Sequence, residues 1–181
     1  MTDYSRYYDL ESYLFETVAD NFHNRHYLTA EEFFCIIIWK ANRAKSKIAK
    51  KFEGETSLDE AIKKLSSSIY QAPSNKVKLA ILMEQYGFYL PMASAILSVL
   101  YQDQFSVYDI RVCDMLEQEY GTTKYHKINN KIFKNLWPEY EEYLQKVLEL
   151  SGLDDYRQAD KYLWGKSFYE QLKGDLKRGF R

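Results

Sequence analysis

Helix breakers are scarce in this chain. Seven glycines and three prolines are spread over 181 residues, so long stretches contain no residue that would interrupt a helix. No strand pair, internal repeat or low-complexity tract stands out, which argues against a sheet or a repeat array. Cysteine is rarer still. Cys35 and Cys113 lie far apart, each beside apolar residues, and two thiols make no disulfide framework, so both read as reduced core residues. Long apolar runs are missing too. The longest, Phe33 to Trp39, is far too short to span a bilayer, and the start, Met-Thr-Asp-Tyr-Ser-Arg-Tyr-Tyr, has no apolar signal segment. No membrane partner is expected, and the cytoplasm is the expected location.

The shortage of histidine limits the chemistry. Of three histidines, His23 and His26 lie three apart like a metal pair. No cysteine or third histidine lies near them, and Asn24-Arg25 between them reads as a turn, so a solvated loop is expected. Three scattered histidines make no Ser-His-Asp or Cys-His arrangement, and no metal or cofactor is expected. Trp164-Gly165-Lys166-Ser167 ends like a phosphate-binding loop. Asp160 stands where that pattern needs its first glycine, however, and no strand precedes it, so the motif is excluded.

What is present is apolar and aromatic. Hydrophobic residues make up 46% of the chain, charged residues 28% and aromatics 17%, with 17 tyrosines and 10 phenylalanines. A chain of this length and composition can bury a core, and one domain over residues 1–173 with a frayed tail over 174–181 is expected. Tyrosine packs its ring while its hydroxyl stays wet, which suits core margins and binding surfaces.

Apolar spacing places the helices. Leu10, Leu14, Phe15 and Val18 predict one over about Asp9 to Phe22. Thr29-Ala-Glu-Glu32 is a capping box and starts a helix expected to run through Lys51, its first half buried and its second half wet. Ser57-Leu-Asp-Glu60 opens another to about Gln71. Lys76 to Tyr86 forms a short helix stopped by Gly87, and Pro91 sits in the first turn of the next, with Ala93, Ile96, Leu97 and Leu100 as its buried stripe. Ser106 to Tyr120 is predicted helical, then a polar link over Lys124 to Asn130. Next come a helix over Lys131 to Leu136, a break at Pro138, and helices over Glu139 to Leu150 and Asp155 to Leu172. The sum is an all-α multi-helix domain.

Charge is unevenly distributed. The net charge is −1, yet Phe33 to Phe52 holds no acid and six bases: Lys40, Arg43, Lys45, Lys47, Lys50 and Lys51. Either this is a solvated face, or it meets a polyanion. A solvated helix usually mixes signs for i,i+4 pairing, and six like charges forgo that and repel one another. Phosphate contact through Lys40, Arg43 and Lys47 is therefore a candidate role.

The stretch Gly87-Phe-Tyr-Leu-Pro-Met-Ala-Ser-Ala-Ile-Leu, continuing to Gln104-Phe-Ser-Val-Tyr-Asp109, describes a helix, a tight turn, a second helix, and an aspartate opening a third. A turn between two helices offers backbone N–H groups to a phosphate. Over Met83 to Leu116 the chain resembles the helix-hairpin-helix DNA glycosylases, the superfamily of endonuclease III and the alkyladenine glycosylases. Gly87 falls on the first hairpin glycine, Ala93 on the alanine of the following helix, and Asp109 on the catalytic aspartate. The resemblance implies DNA as partner, contact at Gly87 and Tyr89, and cleavage of an N-glycosidic bond with Asp109 stabilising the positive charge on the sugar. Tyr89 replaces the second hairpin glycine. Pro91 occupies the Schiff-base lysine position, which removes lyase chemistry. Arg111 stands where endonuclease III-like proteins carry a histidine, and no cysteine cluster exists for an iron–sulfur site. Asp109 has a second reading as a helix cap. Two functions thus remain open: a monofunctional DNA glycosylase, or a non-catalytic DNA-binding or protein-interaction module on the same scaffold.

Overall fold

The computed structural model describes residues 4–179. They form nine helices and, among the described residues, no strand, so the all-α expectation holds. Contacts group the chain into two compact units, Met1–Gln102 and Asp103–Arg181, and each is taken in turn.

Unit 1 holds six helices. The first, α1, covers residues 10–25 and widens to a π-turn over Tyr13–Val18. The Asp9 side chain accepts from the Ser12 amide at 3.2 Å and caps its start. Next, α2 is Ala30–Ala41, opened by the predicted capping box: Thr29 accepts from the Glu32 amide while Glu32 accepts from the Thr29 amide. The same Glu32 carboxylate pairs with Arg25, which satisfies a buried charge. Contrary to expectation, the helix does not continue to Lys51. Ala41 leaves helical geometry at φ −161°, a 3₁₀ turn follows at Asn42–Ala44, and α3 restarts at Lys45–Ala49 with a 3₁₀ turn over Lys50–Phe52. In an unbroken helix Lys40, Arg43 and Lys47 would stack at i,i+3 and i,i+4 spacing, where like charges destabilise. Asn42 offers a local alternative by accepting from Lys45 Nζ at 2.9 Å.

Serine caps open both of the following helices. Ser57 caps α4, Leu58–Gln71, and Ser74 caps α5, Asn75–Ala80 with a π-turn over Ile81–Gln85. The last helix of the unit, α6, is Leu90–Leu100, with proline in its first turn as expected. All its residues except Pro91 are buried, and it packs on α1, α2 and α5. Each fully buried Ile or Leu here is worth about 1.5–3 kcal/mol, so α6 is the core of the unit.

Unit 2 begins with a non-helical segment and holds three helices. The first, α7, is Ile110–Tyr120. It does not start at Ser106, because Ser106 to Tyr108 is buried outside any helix. The backbone there is held from the side: Tyr140 Oη donates to the Ser106 carbonyl at 2.6 Å and Tyr143 Oη to the Val107 carbonyl at 2.9 Å. The predicted polar link is a 3₁₀ turn, Tyr125–Asn130, with Tyr125 and Ile128 buried. The helix α8 runs unbroken over Phe133–Ser151 with Pro138 inside it. Proline there forfeits one backbone hydrogen bond, but Leu136 and Trp137 on one side and Tyr140, Tyr143 and Leu144 on the other are all buried, so side-chain burial carries the helix through. The last helix, α9, spans Tyr156–Arg178 and runs past Leu172 and Gly174. Residues 180 and 181 of the expected frayed tail lie outside the described residues. All three helices pack on one another. Among the described residues, no helix is long and apolar enough to cross a membrane.

Candidate nucleic-acid interface

Two features that the sequence singled out separately meet in unit 1. The turn after α5 places Gly87 at φ +63°, in the left-handed region that favours glycine. Tyr86 N donates to the Ile81 carbonyl and Phe88 N to the Leu82 carbonyl, so the end of α5 is closed by backbone bonds. The basic helix α3 lies against this turn. Lys51 Nζ donates to the Gly87 carbonyl at 2.9 Å and sits 5.6 Å from the centre of the Phe88 ring. Lys47 Nζ lies 5.9 Å from the centre of the Tyr89 ring. A side-chain carbon at Gly87 would come within 3.3 Å of Lys51 Nζ, so glycine suits both the turn geometry and the approach of the ammonium.

An aromatic cluster ties helix and turn together. Phe52, at the end of α3, lies 6.0 Å from the ring centres of both Phe33 and Tyr86, and Phe88 stands 6.2 Å from Phe33. Phe33, Phe52 and Phe88 are buried. Tyr89 takes the N-cap position of α6 but has no oxygen near enough to its backbone to cap it, so its ring projects outward and is 65% exposed.

The charges along this edge are uncompensated. Arg43, Lys45, Lys47, Lys50 and Lys51 are exposed, and no carboxylate pairs with any of the five among the described residues. Of the residues singled out from sequence, Gly87, Tyr89 and Lys47 are brought together. Arg43 lies further along the basic segment in the turn before α3, and Lys40 is half-buried in the last turn of α2. Sequence reasoning passed over Lys51 as a contact residue, although it lies only four residues after Lys47 in the same basic run.

Asp109 belongs to unit 2. It is the N-cap of α7, where Oδ1 accepts from the Arg111 amide at 3.0 Å. The two tyrosine hydroxyls on Ser106 and Val107 fix the backbone just before it. Arg111 spreads its guanidinium over Trp164 at 5.1 Å and Phe168 at 5.6 Å and donates to Gln171 Oε1 at 2.8 Å. Sequence reasoning missed this cluster. Its signal was the i,i+4 spacing of Trp164 and Phe168. Burial pushes the Cys113 thiol up to about 12, so it sits in the core as a neutral thiol.

The histidines do not converge. A ring nitrogen of His23 meets the Leu100 carbonyl at 2.7 Å, His26 stacks on Tyr70 at 4.0 Å, and His126 Nε2 lies 3.3 Å from Asp114 and 3.1 Å from Glu117. A shallow groove beside the last pair is lined by Asp114, Glu117, Glu170 and Gln171, a setting that repels phosphate. No group of three or more His, Cys, Asp or Glu side chains among the described residues is placed to hold a metal. Comparison with known proteins adds no relative: no protein-family model, curated protein or solved structure matches the chain.

Proposed function

We propose that unit 1 is a nucleic-acid-binding module that takes the phosphodiester backbone of DNA along α3 and the Gly87–Tyr89 turn. The observation that carries this reading is the convergence, on a turn between two helices, of ammonium groups that no carboxylate pairs among the described residues: Lys51 on Gly87 and Lys47 beside the exposed Tyr89. Lysines that release counterions from phosphates supply most of the free energy of non-specific binding. An exposed tyrosine at the same edge can stack on a sugar or base. Lys40 and Arg43 extend the positive edge away from the turn.

This reading needs no chemistry at Asp109. A capping carboxylate is the residue type that the start of α7 calls for, and its bond to Arg111 accounts for its place. Binding without catalysis is therefore the function we favour over N-glycosidic cleavage.

The experiment is a fluorescence-anisotropy titration of labelled duplex DNA at low salt, with wild type and an Arg43→Glu, Lys47→Glu double variant. Both side chains are exposed, so melting curves should coincide. The reading expects micromolar-range binding by wild type and a loss of roughly tenfold or more, alike for all sequences, in the variant. No binding at low salt, or binding indifferent to the two reversals, refutes it.

A further inference from the structure

The outward face of α9 is built like one half of a helix pair, with Arg111 lying over one edge of it at Trp164 and Phe168. Its buried side carries Ala159, Asp160, Leu163 and Ser167. The rest of its surface should be polar in a helix that ends at solvent. Instead Trp164, Phe168, Tyr169 and Leu176 are 42%, 45%, 59% and 59% exposed, with the rings of Trp164 and Phe168 parallel to within 5°. Gly165 lies in the middle of this face. It is helical, it costs the helix about 1 kcal/mol relative to alanine, and a side-chain carbon there would meet nothing within 4 Å. Neither backbone conformation nor crowding within the chain calls for glycine. A hole flanked by aromatics suits a side chain arriving from outside.

Charge says what arrives. The helix begins beside Asp154 and Asp155 and ends with Lys173, Lys177 and Arg178 against one acid, Asp175, which pairs with Arg178. Asp155 and Lys173 are eighteen residues apart, a whole number of helical turns, so they share one flank. A second copy of α9 running antiparallel would set the acidic start of each helix beside the basic end of the other.

We infer that this face pairs with the same face of a second copy of the chain, in an antiparallel α9–α9 homodimer about a two-fold axis between Lys166 and Ser167. That axis seats Phe168 of each copy over Gly165 of the other. Lys161 falls opposite Leu172, where its aliphatic stem can lie along the leucine while its ammonium reaches water. Asp154 and Asp155 come level with the end of the opposite helix, near Lys177. The contact is isologous, so it closes at two copies. It is independent of the nucleic-acid reading, since it uses no residue of unit 1.

The test is sedimentation velocity from about 1 µM to about 200 µM, a range that brackets the affinity of small helix-pair interfaces. Wild type should pass from monomer to dimer. Gly165→Leu, which the free chain accommodates, should raise the dissociation constant roughly tenfold or more by filling the hole that Phe168 needs. Asp154→Lys and Lys177→Glu should each weaken the dimer, and the double variant should recover most of the loss. Matching melting curves at low concentration show that the variants fold. A chain that stays monomeric throughout overturns the inference, and so does a dimer that ignores both Gly165→Leu and the charge exchange.

Discussion

Asp109 is the residue on which a catalytic and a structural role compete. Its Oδ1 caps α7, and asparagine in its place still offers an acceptor oxygen. Asp109→Asn should therefore cost less than about 1 kcal/mol, while Asp109→Ala should cost about 1 kcal/mol, read from melting curves. On the capping account neither variant changes DNA affinity, and wild type releases no base in a single-turnover assay over a panel of lesions. Base release that Asp109→Asn abolishes would restore the catalytic reading. Buried tyrosines and cysteine make a second expectation at this scale. Burial pushes Cys113, Tyr101 and Tyr125 each up to about 12, and holds Tyr143 well above the usual phenol range. These groups keep their protons more tightly folded than unfolded, so the stability they confer is complete below pH 9 and drains away as pH rises towards 12. Melting temperature should be flat in that respect from neutral pH to about 8.5 and then fall. Rapid labelling of Cys113 by a thiol reagent at pH 8 in the folded protein would contradict the burial.

Among the elements, α8 carries an internal proline at little visible cost. Pro138 is exposed and leaves the Lys134 carbonyl without its usual amide. Pro138→Ala supplies that amide and a better helix former, so stability should rise by about 1 kcal/mol or more, partly offset by the freer unfolded chain. A fall in melting temperature would mean that the proline fixes something beyond the helix. The same helix shows what the sequence could and could not reveal. Proline is the strongest local punctuation, so Pro138 reads as a break. The outcome is decided by Trp137, Tyr140 and Tyr143, whose burial depends on partners distant in sequence. Caps and left-handed glycines were legible because they act within four residues. Thr29 with Glu32, Ser57 and Gly87 all stand where they were read. The break at Ala41 was hidden because the apolar rhythm carries on past it. The start of α7 was misplaced for a related reason: Ser106 resembles a cap, but the segment after it is held outside the helix by tyrosines of α8 more than thirty residues away.

At the scale of the whole chain, charge informs only through where it falls. Unit 1 carries twelve basic and twelve acidic residues, and half of those bases lie between Lys40 and Lys51. That clustering was visible in sequence. Its contact with the turn at Gly87 was not, because Phe33, Phe52, Tyr86 and Phe88 bring distant segments together through packing alone. The central claim is that this edge holds phosphates, and the salt dependence of DNA binding tests it most directly. If the edge neutralises about four phosphates, the logarithm of the association constant should fall with the logarithm of salt concentration with a slope of about −3.6, and Arg43→Gln with Lys47→Gln should reduce that magnitude by about 2. Binding that does not weaken with salt, or a slope unchanged by the two substitutions, would contradict the account.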